Sequence, residues 1–402
     1  MKRLLSAAAT AALLTASGPA LAQDGVPVGS IAGITGPVAE LVAPIVSARN
    51  LAAEHVNAGG GLLDGRDMVL IAADSQCDPK AAVDAANKVV NVDQVVGVIG
   101  ATCSGGTNAL AQAVTIPAGI PSISDSATAP SISELDDNGL VFRTAPSDAY
   151  QGEALANVAR DQGIARIAVT YANDDYNAGI AKVFERVFEE LGGEVTASQV
   201  HEPNKASYRA EVTTLAQREP EAMALFAYYG GSGITIVKNA LETGSFGKFF
   251  AAEGMFHQSL IDQIGADNLR GNIWVTQAAS DPDNPGYGRF AETYQETGYD
   301  PRALWAAHGY DAAFLMALAI EKAGSTDGRA IADALTQLNE PDGEAVGPTE
   351  WEKAKALIAE GTPIDYQGAS GSVDFDENGD VPGVYSVATV GEDGTWQTDL
   401  LK

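Results

Sequence analysis

Strand-like and helix-like runs alternate along most of this chain, and that rhythm narrows the possible folds more than any other feature. Residues 26–32 read as a strand. Residues 44–57 read as a helix, which Asn57-Ala58-Gly59-Gly60-Gly61 stops, because glycine enters left-handed backbone without steric penalty. Residues 68–73 form the next strand, and Asp78-Pro79 supplies an N-cap and a first-turn proline for a helix to Asn91. Residues 95–99 have the apolar run of a buried strand, and Ser104-Gly105-Gly106 opens a helix to about Ile116. This order predicts a parallel sheet with helices on both faces.

The rhythm breaks at 143–148, which reads as a linker, and then resumes. A helix over 148–163 precedes strands at 166–170, 194–199, 222–228 and 249–252, with helices at 176–191, to about 217, and at 232–243 between them. After a strand at 273–276 the texture turns helical, over 287–297, 303–323 and 326–337. A hairpin-like tail follows, with Asp376-Glu377-Asn378-Gly379 as its turn. A chain of 402 residues is too long for one ordinary core, so two doubly wound α/β lobes are expected.

The first residues predict export. Lys2 and Arg3 form a basic start, 4–16 is apolar but too short to span a bilayer, and Ala20-Leu21-Ala22 is an A-x-A cleavage site. A signal peptide over 1–22, cut after Ala22, fits this pattern. No Cys follows the apolar stretch, so the lipid-anchor signature is missing. No later stretch reaches the roughly 18 apolar residues that a membrane helix needs. Loss of Lys2 and Arg3 takes the 24 basic residues to 22 against 53 acidic ones, a formal charge of −31. Such a field repels nucleic acid and anionic membrane surfaces.

The two cysteines, Cys77 and Cys103, survive cleavage and would meet an oxidising compartment. One disulfide is the natural reading, with two buried thiols as its alternative. The bridge would enclose a loop of roughly 25 residues and stabilise the fold by about 3 kcal/mol on the chain-entropy account. Two Cys and the scattered His55, His201, His257 and His308 give no metal-ligand spacing.

Three places look able to hold a ligand. Cys103-Ser104-Gly105-Gly106-Thr107 lies between a buried strand and a helix, where unpaired N–H groups and the helix dipole attract a carboxylate or phosphate. Ser104 is also an ordinary helix cap that needs no ligand. Ser124-Asp125-Ser126-Ala127-Thr128-Ala129-Pro130 follows a short strand at 121–123, and ligands of open α/β sheets sit beyond the carboxyl ends of strands. A solvated loop is the plainer reading. Tyr176, Tyr229, Glu253 and Trp305 form the third set. Glu253 follows a strand and could pair with an ammonium group, though taken singly a surface charge is the plainer reading for it and packing the plainer reading for each aromatic.

Neither a Walker loop nor G-x-G-x-x-G occurs, so no cofactor is expected. No G-x-S-x-G elbow or His-Glu-x-x-His occurs, and no His stands beside an obvious nucleophile, so catalysis is not expected. The acidic run 374–380 departs from EF-hand spacing and lacks the closing Glu, which leaves a turn.

Short segments in a characteristic order carry a family resemblance: Gly36-Pro37, Glu54-His55-Val56-Asn57-Ala58-Gly59-Gly60-Gly61, Cys77-Asp78-Pro79-Lys80, Cys103-Ser104, Ser126-Ala127-Thr128, Phe142-Arg143-Thr144-Ala145, Asp175-Tyr176, Tyr228-Tyr229-Gly230-Gly231 and Glu253-Gly254. In these, the chain resembles the periplasmic leucine/isoleucine/valine-binding proteins of ABC importers across nearly all of its mature length. The resemblance implies a type I two-lobed fold with three hinge crossovers, closing on its ligand. It implies lobes of 23–146 with 278–366, and 147–277 with 367–402, after the signal at 1–22. It implies a Cys77–Cys103 disulfide. It assigns the ligand's α-carboxylate to Ser104 and Thr128, and the α-ammonium to Ser126 O, Thr128 and Glu253. Tyr176 would face the ligand from the opposite lobe, Trp305 would stand near its side chain, and Tyr229 would belong to the same site.

Departures fall around the ligand's variable end. Leu41 stands near a position where the family often has an aromatic, Ser232 follows the Tyr-Tyr-Gly-Gly run where another is usual, and Asp125 replaces a Pro. Asp125 would either face solvent or favour a polar or basic ligand. The function implied is capture of a branched-chain or other neutral amino acid in the periplasm, by a monomer serving a membrane permease. The alternatives are capture of another small solute (an amide, urea, or a polar or basic amino acid) and a ligand-sensing receptor component.

Overall fold

The structure, a computed structural model, describes residues 25–280 and 283–401. The signal peptide expected at 1–22 lies outside them. Among the described residues, a first sheet is formed by β1 (Val26–Ala32), β2 (Met68–Asp74), β3 (Val98–Ile99), β4 (Ser122–Ser124) and β5 (Val141–Arg143). Its order is β2-β1-β3-β4-β5, with every pairing parallel. The second sheet begins with β6 (Arg166–Ala172), β7 (Glu194–His201), β8 (Ala222–Phe226), β9 (Phe249–Ala252) and β10 (Ile273–Ala279). After a small parallel pair, β11 (Glu344–Val346) with β12 (Ile364–Tyr366), the chain adds the hairpin β13 (Val384–Val390) and β14 (Trp396–Leu400). The second sheet runs β14-β13-β10-β9-β8-β6-β7.

Each sheet has its own core, which is the physical sense of two lobes. The first core combines Val26, Ile99, Phe142, Tyr310, Phe314 and Trp351. The helix Ala306–Ala323 runs through it and is buried without a break from Ala306 to Ile320. Its small residues let it approach the helix Ala39–Ala58. At Gly309 a Cβ would stand 2.9 Å from the Ile45 carbonyl oxygen, closer than such contacts allow. Two further clusters, around Phe249, Met255 and Val275 and around Phe184, Phe226 and Phe250, sandwich the second sheet.

Several readings shift. The first helix starts at Ala39 rather than at Pro44, because Val38, Val42 and Ile45 are all buried and extend the packed face one turn back, although proline forfeits a helical hydrogen bond. The linker read at 143–148 is shorter, since Val141–Arg143 is the edge strand of the first sheet and a helix begins at Asp148. The turn at 376–379 does not join the terminal hairpin. Gly391 and Thr395 close that hairpin at 2.9 Å, whereas Asp376 N–H bonds Asp380 O at 2.8 Å and Gly379 O accepts from Arg143 N–H at 3.0 Å. Ala369, Val373 and Val381 are buried in the first core, so the segment that carries them packs with the first lobe.

Candidate functional site

The carboxyl ends of both sheets face one cavity between the lobes, where open α/β sheets place their ligands. The first lobe contributes Thr102, Cys103, Ser104 and Ser126 from the segments after β3 and β4, and an aliphatic wall of Val38, Leu41, Val42 and Ile45. The second lobe contributes Tyr176, Tyr228, Glu253 and Gly254, and Leu304 with Trp305 closes the hinge side. About 430 Å³ of space lies among them, open solvent included.

Ser104 is the first residue of a helix whose N-cap position is Cys103, so its hydroxyl does not cap its own helix. Instead Ser104 Oγ accepts the backbone N–H groups of Thr128 and Ala129, both at 3.2 Å. Two accepted bonds leave its own hydrogen to donate into the cavity, the polarity a carboxylate needs. Ser126 lines the cavity with its hydroxyl turned to Thr102 O at 3.1 Å. Thr128 does not line it. The Thr128 hydroxyl donates to Asp148 Oδ2 at 2.8 Å, so it supports the wall from behind.

Glu253 is 5% exposed, on a short helical turn just after β9. Gln151 Nε2 donates to its carboxylate and to Thr276 O at 3.0 Å, and the Tyr176 hydroxyl also bonds it. Burial pushes the Glu253 carboxyl above its usual range, against these hydrogen bonds. Asp148, wholly buried, is pushed up further by desolvation and then by the charge of Glu253, with Thr128 and Arg143 opposing. Asp148 Oδ1 has no hydrogen-bond partner. A cation placed in the cavity beside Glu253 would relieve this surplus of buried negative charge.

Asp174 caps the helix Asp175–Glu190 through Asn177 N–H at 2.9 Å and so fixes Tyr176 in its first turn. The Tyr176 hydroxyl accepts Gly254 N–H at 3.3 Å, and its ring stacks on Tyr228 at 5.4 Å. Gly254 has to be small here: a Cβ would meet Ala227 O at 2.7 Å. Trp305 holds φ +65°, left-handed backbone that bulky residues rarely adopt, and is 6% exposed. That conformation delivers the indole to the cavity at the head of the helix Ala306–Ala323.

Five of the seven residues singled out in the sequence therefore line one cavity: Ser104, Ser126, Tyr176, Glu253 and Trp305. Tyr229 does not. It stacks on His257 at 4.0 Å and donates to Glu40 at 3.2 Å, while its neighbour Tyr228 takes the cavity wall. Asp125 neither faces solvent nor reaches the ligand space. It is wholly buried in an ion pair with Arg49 Nε at 2.6 Å, and Arg49 also donates to Ser30 Oγ and Ile31 O. Ser232 is buried against His201 at 2.8 Å, away from the cavity. Cys77 and Cys103 form the disulfide, with Cα atoms 5.4 Å apart, and Cys103 borders the cavity. Among the described residues no group of three His, Cys, Asp or Glu could hold a metal ion, and no helix is long and apolar enough to cross a membrane.

Over residues 25–364 the sequence matches the family described as periplasmic binding protein. It is similar to the leucine-, isoleucine-, valine-, threonine- and alanine-binding protein of Pseudomonas aeruginosa, 30% identical over 340 residues, covering 83% of this chain and 87% of that one. Among solved structures it is similar to the leucine-binding protein LivK of Thermotoga maritima, with a TM-score of 0.78 at 25% identity over 94% of this chain and 98% of the other. A solute-binding protein of an ABC transporter from R. palustris, in complex with benzoate, shares the fold with a TM-score of 0.76 at 17% identity, covering 94% and 96% of the two chains.

Proposed function

The chain belongs to the periplasmic binding protein family, and on that premise we propose that it is the extracytoplasmic solute-binding component of an ABC importer, capturing a neutral amino acid of the branched-chain kind between its lobes. The observation that carries this reading is Glu253, a buried carboxylate in the wall of a small cavity that has no cation beside it among its lining residues. An α-ammonium would pair with Glu253. An α-carboxylate would take the Ser104 hydroxyl hydrogen near a helix N-terminus. Both charges would be buried with partners, the condition under which burying charge is tolerated. The aliphatic wall of Val38, Leu41, Val42 and Ile45, with Leu304 and Trp305, suits an apolar side chain. The amino acids in the name of the Pseudomonas relative agree with that set.

The fuller picture has the protein exported, with its signal removed after Ala22, acting in the periplasm as a monomer that delivers ligand to a membrane permease and transforms nothing itself. The lobes would hinge at three crossings and close over the ligand. Calorimetric titration of the mature protein, refolded free of ligand, tests the reading. Leucine, valine or threonine should bind, and Glu253→Gln should weaken binding at least tenfold by leaving a buried ammonium without its counter-charge. Equal affinities for the two proteins would remove Glu253 from the site.

A further inference from the structure

Behind Trp305 lies a second cavity, on the hinge side, with about 880 Å³ of space that opens partly to solvent. Leu304 and Trp305 line both cavities and separate them. One wall belongs to the second lobe. Gln277 on β10 pairs directly opposite Ser386 on β13, and Ser386 opposite Leu400 on β14, so these three side chains form a row on one face of the sheet. The other wall belongs to the first lobe, where Leu304, Trp305 and His308 stand at the head of the helix Ala306–Ala323.

Three residues of this cavity each carry a buried polar atom without a hydrogen-bond partner: Gln277 Oε1, His308 Nδ1 and Ser386 Oγ. All three are more than nine-tenths buried, at 7%, 5% and 2% exposure. Unpaired buried polar atoms are few in folded proteins, and each is unfavourable. Three around one cavity form a set that a ligand would satisfy. An amide and an imidazole each present either polar end after a half-turn, and a hydroxyl rotates freely.

The lining chemistry is uncharged. Burial keeps the His308 imidazole neutral, with its pKa pulled down to about 3. Arg302, the charged residue among the described lining residues, is paired with Asp300 at 2.8 Å and largely exposed. Such a wall selects neither an anion nor a cation. We propose that this hinge cavity is a second binding site, for a small uncharged solute that both donates and accepts hydrogen bonds, of the amide or polyol type. Because its two walls come from different lobes, an occupant bridges the hinge and favours the closed arrangement.

The test is the melting temperature of the mature protein titrated with acetamide and, separately, with glycerol, beside the Gln277→Leu/Ser386→Ala variant. That variant removes unpaired polar atoms and keeps the packing, so it folds at least as well as the native chain. The single change Ser386→Ala is the fallback if it does not. At least one probe should raise the native melting temperature saturably, by about 2 °C at ten times its half-saturating concentration, on top of the general solvent effect that the variant also shows. The saturable part should persist with leucine at saturation, which separates this site from the one between the lobes. Superimposable curves for native and variant proteins with both probes would overturn the proposal and leave the cavity to ordinary water.

Discussion

Glu40 and His257 meet across the cleft, His257 Nε2 standing 3.2 Å from the Glu40 carboxylate, one residue on each lobe. The Tyr229 hydroxyl reaches the same Glu40 oxygen at 3.2 Å, and its ring lies flat on His257 at 4.0 Å. These contacts span the two lobes, so if the lobes hinge as proposed they would form only on closure.

Glu40→Ala should therefore weaken ligand binding without altering ligand preference. Glu40 is largely exposed and burial lowers the His257 pKa, so the contact is worth about 1 kcal/mol or less, which puts the loss at up to roughly fivefold in Kd. Titrations of the native and variant proteins with two different amino acids check this. Unequal losses for the two ligands would mean that Glu40 touches the ligand itself.

Affinity should fall in acid through Glu253. An ammonium pairs with the ionised carboxylate, and burial has raised the carboxyl groups of Glu253 and Asp148 above their ordinary values. Binding is thus full above the raised values and lost as pH falls through them, at higher pH than an exposed Glu would dictate. Stability of the ligand-free protein runs the other way. A raised carboxyl binds its proton more readily when folded, so its contribution is fully present below the ordinary carboxyl pKa and is lost as pH rises from there through the raised value. Affinity and melting temperature against pH, with Glu253→Gln as comparator, would show opposite slopes, affinity rising and melting temperature falling with pH; a flat Kd from pH 8 to 4 would contradict the assignment.

His201 makes the contrary contribution to stability. It lies between Thr170 Oγ1 and Ser232 Oγ, each at 2.8 Å, and burial lowers its pKa to about 4. The unfolded chain takes up this proton below about 6.5, while the folded chain resists until about 4. The stability from this group is complete above 6.5 and disappears as pH falls to about 4, an effect on the order of 3 kcal/mol. The difference in unfolding free energy between the native protein and His201→Gln should change by that order across the window, and parallel curves would refute it.

Arg49 and Asp125 should behave as a structural pair. Asp125→Asn leaves the guanidinium buried without its counter-charge and should destabilise by about 3–5 kcal/mol. The double change Arg49→Met/Asp125→Leu should recover most of that loss. Ligand preference should stay the same in both, because neither residue lines the cavity. A shift toward basic or polar ligands in Asp125→Asn would restore the specificity role that its sequence position suggested.

The lobes were legible because buried parallel strands are apolar runs and their helices carry clear stops. Ser104, Ser126, Tyr176 and Glu253 were legible because ligands gather at strand ends, and these residues sit just past β3, β4, β6 and β9. What escaped depends on direction and distance. In Tyr228-Tyr229 one ring faces the ligand space and the other faces Glu40, and no local pattern says which. Thr128 lies in the right loop, yet its hydroxyl turns to Asp148, a partner 20 residues on. The partner of Asp125 is 76 residues away on a helix, so its burial had no nearby signal. The strand Val141–Arg143 is too short to show alternation, and the linker reading begins at its last residue, Arg143. The aliphatic wall on the helix Ala39–Ala58 reads in sequence as ordinary core.

The most direct measurement compares leucine with its two half-analogues, 4-methylpentanoate lacking the ammonium and 3-methylbutylamine lacking the carboxylate, by calorimetry on the ligand-free mature protein. If Glu253 and Ser104 each hold one end of a zwitterion, leucine binds and each analogue binds at least a hundredfold more weakly. If 4-methylpentanoate binds as tightly as leucine, Glu253 holds no ammonium, and capture of an amino acid through that residue is contradicted.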